Sequence, residues 1–338
     1  MKNNNKGEIM DNLKKVGLTA LAGSLAAISA NAAEMTVSGA TVLTYTSEDP
    51  TEVTGNPYGM KTNLGFTASG EVNGYTVSYM QTSMDKFAGM SSARMTIDMG
   101  DMGTIAFDQG SGSGLSTIDD KTPTAAEEIW DGLDGGAVIG GLVGASSSGA
   151  WNYIQSMAGV TFNGSYVKGS ATKNSDGAVS GDGNNGSSWD FALTSSDVGV
   201  EGLSVGAGYG DIANGNGESG SNNDEHSTVF ANYSVGMVTV GAQISEIDNG
   251  ANGGTDEETQ AWGISANIND NLSISYGQRD VDFIKQAAND VTETGKGVAV
   301  AYTMGSIKVA GNMNEVEHNN GTSQANDEMV EIAVSFAF

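Results

Sequence analysis

The 338-residue sequence contains no cysteine, so no disulfide framework stabilises the fold. Only 3 prolines accompany 49 glycines, a balance typical of a chain with many strands and turns, because proline cannot sit in a central strand. Beyond residue 32 there is no run of 18 apolar residues, so the sequence predicts no membrane-spanning helix.

Basic residues are scarce, with 14 Lys and Arg against 41 Asp and Glu. The resulting field repels phosphates and argues against a nucleic-acid partner. The two histidines, His226 and His318, lie beside long polar segments, outside any metal motif or Ser/His/Asp arrangement. We therefore predict no catalytic residues, no metal site and no cofactor. Acidic loops such as 248–258 leave a surface Ca²⁺ site open, although solvated charge is the simpler interpretation.

The first 32 residues have the features of a secretory signal peptide. Lys14 and Lys15 precede an apolar stretch of small residues, and Ala30-Asn31-Ala32 forms an A-x-A cleavage pattern. We expect cleavage after Ala32, leaving 33–338 as one domain; the alternative is an N-terminal amphipathic helix of a cytosolic protein. Losing four lysines and two acidic residues with the leader leaves 10 basic and 39 acidic residues, a net charge of −29.

Period-two alternation of apolar and polar residues continues along the remaining chain and predicts β-strands. In 92–99, for example, Ala93, Met95 and Ile97 alternate with Arg94, Thr96 and Asp98. An apolar face on lipid requires a polar face on water, inside a wide barrel. The sixteen candidate strands are 34–45, 61–72, 75–82, 92–99, 103–109, 151–155, 160–168, 187–194, 203–211, 226–233, 238–247, 258–268, 272–280, 294–304, 307–316 and 327–338.

Connections between these strands alternate between short turns, such as Asn73-Gly74, and long polar loops, such as 169–186. Seven short and eight long connections, with both termini on the short side, are typical of an antiparallel transmembrane β-barrel. A soluble β-sandwich or lectin is the alternative all-β fold. Disorder is disfavoured by the sustained alternation, and a calcium-binding β-roll by the missing nonapeptide repeat.

The last ten residues, Met329–Phe338, alternate strictly and end on an aromatic residue. In this respect the chain resembles the general porins of Gram-negative outer membranes, whose final strand ends in Phe. The resemblance implies that the final strand, with Phe336 and Phe338, closes the barrel against the first strand and carries the signal read by the barrel-assembly machinery. It also implies location in the bacterial cell outer membrane, contact with its lipid and lipopolysaccharide, and a homotrimer.

The third long loop, 110–150, is far longer than ordinary connections, and such loops are usually functional or disordered. Thr122 as N-cap, Pro123 at the first position and Gly132 as the stop predict a helix through Ala125–Trp130. In the porin family this loop folds into the barrel and narrows the pore as an acidic segment. The matching acids here are Asp119, Asp120, Glu127, Glu128, Asp131 and Asp134.

Strand parity gives four inward basic candidates: Lys61, Arg94, Arg279 and Lys308. Arg94 is the best placed, being mid-strand near the third-loop hairpin. The porin family usually shows several clustered arginines on this wall, whereas only Arg94 and Arg279 are available here, which favours a cation-selective constriction.

The sequence thus predicts an all-β, sixteen-stranded barrel with an inward-folded third loop that passes small hydrophilic solutes and cations by diffusion. The alternative function is a barrel that serves adhesion or surface structure, with incidental conduction. An enzyme is disfavoured, although outer-membrane lipases and proteases do use barrels.

Overall fold

The computed structural model describes residues 34–48, 55–84, 90–131, 133, 148–169, 186–213, 223–251, 253–285, 288–322 and 326–338. The expected signal peptide, 1–32, and Asp134 lie outside these residues. All-β architecture is confirmed. The strands are β1 Glu34–Glu48, β2 Tyr58–Val72, β3 Tyr75–Met84, β4 Met90–Asp98, β5 Thr104–Gln109, β6 Ser148–Met157, β7 Val160–Val167, β8 Ser188–Ser195, β9 Leu203–Ile212, β10 Asp224–Val235, β11 Val238–Asp248, β12 Thr255–Asn267, β13 Leu272–Lys285, β14 Val291–Met304, β15 Ile307–Glu317 and β16 Asp327–Ala337.

These sixteen strands form one closed barrel in which each strand pairs with its sequence neighbours. The ring closes through antiparallel pairing of β1 with β16, from Ala40 opposite Ala337 to Glu48 opposite Met329. Beyond that ladder, the Phe338 amide donates to the Gly39 carbonyl at 2.9 Å, and the Gly39 amide donates back to the Phe338 carbonyl at 2.9 Å. The predicted closure by the final strand is confirmed, and no strand of the ring is left with an unpaired edge.

Strand ends on the long-loop side extend further than alternation predicts. β13 continues to Lys285 rather than residue 280, and β14 begins at Val291 rather than residue 294. Asp280 and Asp282 lie on the face that carries apolar residues earlier in β13. The alternation of apolar and polar residues therefore ends there, while backbone pairing with β14 continues. The connections 85–89 and 286–290 are therefore shorter than the turn 196–202, and the strict alternation of short and long connections is wrong.

Helical structure is limited to three short 3₁₀ turns among the described residues: Gly100–Met102, Gly114–Thr117 and Asn319–Gly321. None of the described helices has the length and apolar character needed to cross a bilayer. The helix predicted through Ala125–Trp130 is wrong, because residues 122–131 form bends and turns. Backbone groups of this segment instead bond to wall side chains such as Ser275 and Asn314, and a few bonds lie within the segment.

Candidate functional site

The barrel wall has an apolar face and a polar face. In β11, Ile244 on the apolar face is 59% exposed, whereas the neighbouring Gln243 on the polar face is 4% exposed. Exposed large apolar side chains recur on the apolar face of other strands, including Ile274 in β13 and Met313 in β15. Burial on the polar face of β11 requires something to cover it, and that cover is the third loop.

The first part of the third loop is fixed to β7, β8 and β10. The Gly114 amide donates to Asn163 Oδ1 at 2.9 Å, and the Leu115 amide donates to Asp190 Oδ1 at 2.9 Å. The side chain of Leu115 is buried in one apolar cluster with those of Ile118, Ala192 and Phe230. This anchoring turn is the 3₁₀ helix Gly114–Thr117, which the sequence analysis did not predict.

The middle of the loop is held by side chains of β10, β11 and β13. The Lys121 amide donates to Gln243 Oε1 at 2.8 Å, and Gln243 Nε2 donates to the Ile118 carbonyl at 2.8 Å. Asn232 Nδ2 donates to the Lys121 carbonyl at 2.7 Å. Further along, the Ala125 amide donates to Ser275 Oγ at 2.8 Å. The loop backbone therefore bonds to the wall at several points, in addition to short turns within the loop such as the bond from the Asp131 amide to the Glu128 carbonyl.

The last described part of the loop reaches β15 and β16. Asn314 Nδ2 donates to the carbonyls of Glu128 at 3.1 Å and Asp131 at 2.9 Å. Leu133 packs with Val316 and Met329 in an apolar cluster that Trp130 also contacts. We call residues 113–131 and 133 the wall segment, because they lie along the polar face from β7 to β16.

This path explains the missing helix. Pro123 lies over β11 and β12, and the Asp131 carbonyl lies beside Asn314 of β15. Strands are spaced about 4.8 Å apart, so the eight steps between these residues cover roughly 17 Å. A helix would advance only about 12 Å over the same eight steps. Its own hydrogen bonds would also compete with those from the wall, and a helix this short has little stability of its own.

Two groups of predicted acids lie on the wall segment. Asp119 and Asp120 lie near Arg279, and Glu128 lies near these two acids. Burial raises the pKa of Asp120 to about 6, with a further contribution from the neighbouring Glu128 carboxylate, to which Asp120 is also hydrogen-bonded. Burial likewise raises the pKa of Asp119, opposed by the nearby positive charge of Lys121.

Glu127 and Asp131 form the second group, and they are near Lys61 of β2. Burial raises the pKa of both carboxyl groups, as do neighbouring carboxylates, and the Lys61 ammonium opposes this effect. Glu331 of β16 interacts with this group and accepts a hydrogen bond from Thr46 Oγ1 at 3.3 Å. The sequence alone does not single out Glu331, because one acid on a polar face resembles any other solvated residue.

The four predicted basic residues occupy different environments. Arg279 is 7% exposed, beneath the wall segment, with its guanidinium 4.7 Å from the centre of the Trp130 ring. Arg94 lies 3.7 Å from Asp108 and bonds to the Gly112 carbonyl and to Asn152. Lys61 is exposed on β2, and Lys308 is half-buried on β15 near Glu127. The structure thus brings Lys61 and Lys308 to the Glu127 group, and Arg279 to the Asp120 group.

The described residues offer little support for a metal-dependent function. Within them, no group of three or more His, Asp or Glu side chains is arranged to hold a metal ion.

The predicted aromatic residues at the closure lie on the apolar face, where Phe336 is paired with Thr41 and Phe338 is 73% exposed.

Comparison with known proteins identifies the family. A family model described as Gram-negative porin matches residues 17–338. Two engineered variants of Rh. blastica porin superpose with TM-scores of 0.63 and 0.61 at 15% identity, covering 90% of this chain and 100% of theirs. OmpT of Vibrio cholerae superposes with a TM-score of 0.62 at 12% identity, covering 90% of this chain and 98% of its own.

A search of curated proteins found no match. The structural neighbours share the barrel fold, and the family model spans nearly the whole sequence. The chain belongs to the Gram-negative porin family and is an outer-membrane channel protein.

Proposed function

We propose that this porin is a cation-selective diffusion channel for small hydrophilic solutes, with the wall segment as its constriction. In a bilayer, the face that carries Ile244, Ile274 and Met313 contacts lipid, because lipid cannot solvate the opposite, polar face. The polar face then lines the lumen. A barrel of sixteen strands is too wide for wall side chains alone to fill, so water occupies what the wall segment leaves open.

The free passage lies beside β1 and β2 in this proposal. On the polar face of β2, Lys61, Asn63 and Thr67 are exposed, whereas Gln243 of β11 and Asn314 of β15 are buried beneath the wall segment. The contrast in burial around one barrel is the observation that carries the proposal. It supports a lumen filled on the β8–β15 side and open on the β1–β2 side.

The charges beside this passage favour cations. The negative charges of Glu127, Asp131 and Glu331 are only partly offset by the positive charges of Lys61 and Lys308. Acids are therefore in excess within a constriction from which water is partly excluded. Fixed negative charge concentrates cations locally and repels anions. Salt screens this field over about 10 Å at 0.1 M ionic strength, so the preference is strongest in dilute salt.

Reversal potentials across a planar bilayer in a KCl gradient test the selectivity. We expect a cation preference that weakens as salt concentration rises, and a clear loss of preference in Glu127→Gln with Asp131→Asn. The control is Asp197→Asn with Glu201→Gln, which removes the same formal charge from the exposed turn between β8 and β9. Anion preference of the unmodified protein in dilute salt, or equal effects of the two double variants, would refute the proposal.

We further propose that the channel assembles as a homotrimer in contact with outer-membrane lipid and lipopolysaccharide, after insertion by the barrel-assembly machinery. The support for this assembly is membership of the porin family. Light scattering of the detergent-solubilised protein, corrected for bound detergent, measures the oligomer directly. A monomeric mass under mild extraction would exclude a stable trimer.

A further inference from the structure

A single register row of the barrel wall carries four consecutive glycines. Gly241 of β11 lies opposite Gly263 of β12, which lies opposite Gly277 of β13, which in turn lies opposite Gly297 of β14. Glycine weakens a strand interior, because it has no side chain to pack and loses the most backbone entropy on folding. Four in one row therefore call for a local reason.

The reason is the close approach of the wall segment. A Cβ atom at Gly241 would lie 2.8 Å from Pro123 Cδ, and one at Gly263 would lie 2.8 Å from the Pro123 carbonyl oxygen. A Cβ atom at Gly297 would lie 2.9 Å from Ile129 Cα, and one at Gly277 would lie 3.1 Å from Ile129 Cγ2. Pro123 thus occupies the hollow of one glycine pair and Ile129 that of the next.

Asparagines stand at both ends of the same row. Asn232 of β10 lies opposite Gly241, and Asn314 of β15 lies opposite Gly297. Their side-chain amides donate to carbonyls of the wall segment, Asn232 to Lys121 and Asn314 to Glu128 and Asp131. The row therefore combines a shallow floor of four glycines with a hydrogen-bond donor at each end.

We propose that this glycine row is a seat that fixes how far the wall segment stands from the wall, so that Gly263 and Gly297 are positioning residues for the width of the passage. The inference rests on the proposed channel function. At Gly263 an added Cβ meets the carbonyl oxygen of Pro123, and at Gly297 it meets the Asn314 side-chain oxygen as well as Cα and Cβ of Ile129. The Pro123 carbonyl oxygen and Ile129 Cα belong to the backbone of the wall segment, which cannot turn aside as a side-chain end can. A larger residue there displaces the segment toward the passage.

Gly295 supplies a matched control. It belongs to the same strand as Gly297 and faces the same side two residues away, but a Cβ atom there would meet only the carbonyl oxygens of Arg279 and Glu315, at 3.9 and 4.0 Å. Alanine at 295 therefore tests the loss of a strand glycine alone. Alanine at 297 adds the collision with Ile129 of the wall segment and with the side-chain oxygen of Asn314, and the protein lacking the segment separates these two contacts.

Single-channel conductance is the first test. We expect conductance to fall in Gly297→Ala and further in Gly297→Val, and to remain near that of the unmodified protein in Gly295→Ala. In a protein lacking residues 122–136, Gly297→Ala should have no further effect. Equal conductance of the 295 and 297 variants, or an effect of Gly297→Ala that persists without the segment, would overturn the inference.

Cysteine pairing is the second test and does not depend on conduction. The chain has no cysteine of its own, so Ile129→Cys with Gly297→Cys introduces a single pair. A Cβ atom at 297 would lie 2.9 Å from Ile129 Cβ, and a shift of under about 1 Å reaches the spacing of a disulfide. We expect oxidation to join this pair but not Ile129→Cys with Gly295→Cys.

The two tests separate failure of the inference from failure of the proposed function. If the unmodified protein does not conduct but the 129–297 pair forms, the seat exists and the channel proposal fails. If the protein conducts but the 129–295 pair forms as readily as the 129–297 pair, the channel stands and the glycine seat is wrong.

Discussion

At the scale of single residues, the wall segment gathers carboxylates where solvent is partly excluded. Asp120 is the clearest case, because burial and the adjacent Glu128 both disfavour its charged form. The same site holds Arg279, whose charge offsets part of this cost. The wall segment thus keeps an acid with a pKa of about 6, with consequences for both selectivity and segment stability.

The first prediction concerns pH. As pH falls through about 6, Asp120 takes up a proton and one negative charge leaves the wall segment, so cation preference should decline between about pH 7 and pH 5. The pKa of Asp120 is higher in the folded protein than its usual value of 3.8, so the charged carboxylate destabilises the folded position of the wall segment and the protonated form does not. Seating of the segment should therefore strengthen as pH falls from about 6 toward 3.8.

Reversal potentials of the unmodified protein and of Asp120→Asn, measured across this pH range, check the prediction. We expect Asp120→Asn to remove most of the change in that window. The control is Asp101→Asn, in the exposed 3₁₀ turn Gly100–Met102, and its reversal potential should change with pH as that of the unmodified protein does. An unaltered pH profile in Asp120→Asn would contradict the assignment.

At the scale of elements, the wall segment is a strap held by wall side chains rather than a helix held by its own hydrogen bonds. Asn314 provides two of these bonds, to Glu128 and Asp131. Asn312 lies two residues earlier on the same face and is also buried, but among the described residues its side-chain amide has no hydrogen-bond partner. The two asparagines differ mainly in whether they bind the segment.

The second prediction follows from this difference. Asn314→Leu should loosen the end of the wall segment by about 1 to 3 kcal/mol, since each hydrogen bond contributes roughly 0.5 to 1.5 kcal/mol. We expect the Asn314→Leu variant to show more open-channel current noise than the unmodified protein. Asn312→Leu should leave the noise unchanged, because that variant loses no hydrogen bond to the wall segment. Equal noise in the two variants, recorded under the same voltage, would show that Asn314 does not hold the segment.

Elements differ in how well the sequence predicts them. All sixteen strands are predictable because apolar and polar residues alternate in phase over most of each strand. Their outer ends are not, since pairing continues past the apolar belt at Asp280 and Asp282. The helix predicted in the loop does not form because Thr122 and Pro123 also suit a bend. The hydrogen bond that Ser275 accepts from Ala125 and those that Asn314 donates favour the bend over the helix.

The candidate site is only partly predictable for a related reason. The acids of the third loop follow from local composition, and parity gives the inward direction of Lys61 and Arg279. Partners do not follow, because they depend on register between distant strands. Asn314 of β15, for example, bonds to the carbonyls of Glu128 and Asp131 in the third loop, which no spacing in the sequence predicts.

At the scale of the whole molecule, closure joins the two ends of the described chain. β16 pairs with β1, and Phe338 exchanges two backbone hydrogen bonds with Gly39. The ring of Phe338 lies over Gly39, where an added Cβ would collide with it. This joint is the last antiparallel ladder needed to satisfy backbone groups all around the ring.

The third prediction addresses this joint. Phe338→Ala should reduce the fraction of protein that refolds into a closed barrel in detergent, because the ring contact over Gly39 is lost at the closing ladder. Mobility of unheated samples on a denaturing gel measures the folded fraction. Tyr233→Ala is the control, since Tyr233 is also exposed on the apolar face but lies on β10, many strands away from the joint around the ring. Equal losses in both variants would refute a special role for Phe338.

The glycine row also restricts how this sequence can change over evolutionary time. Inserting or deleting one residue within β11, β12, β13 or β14 turns every later side chain of that strand to the opposite face. Such a change would bring a bulky neighbour such as Trp262 or Tyr276 under Pro123 or Ile129. Length variation should therefore accumulate in the outer loops, while these four strands tolerate substitutions outside the glycine row but not single-residue insertions or deletions.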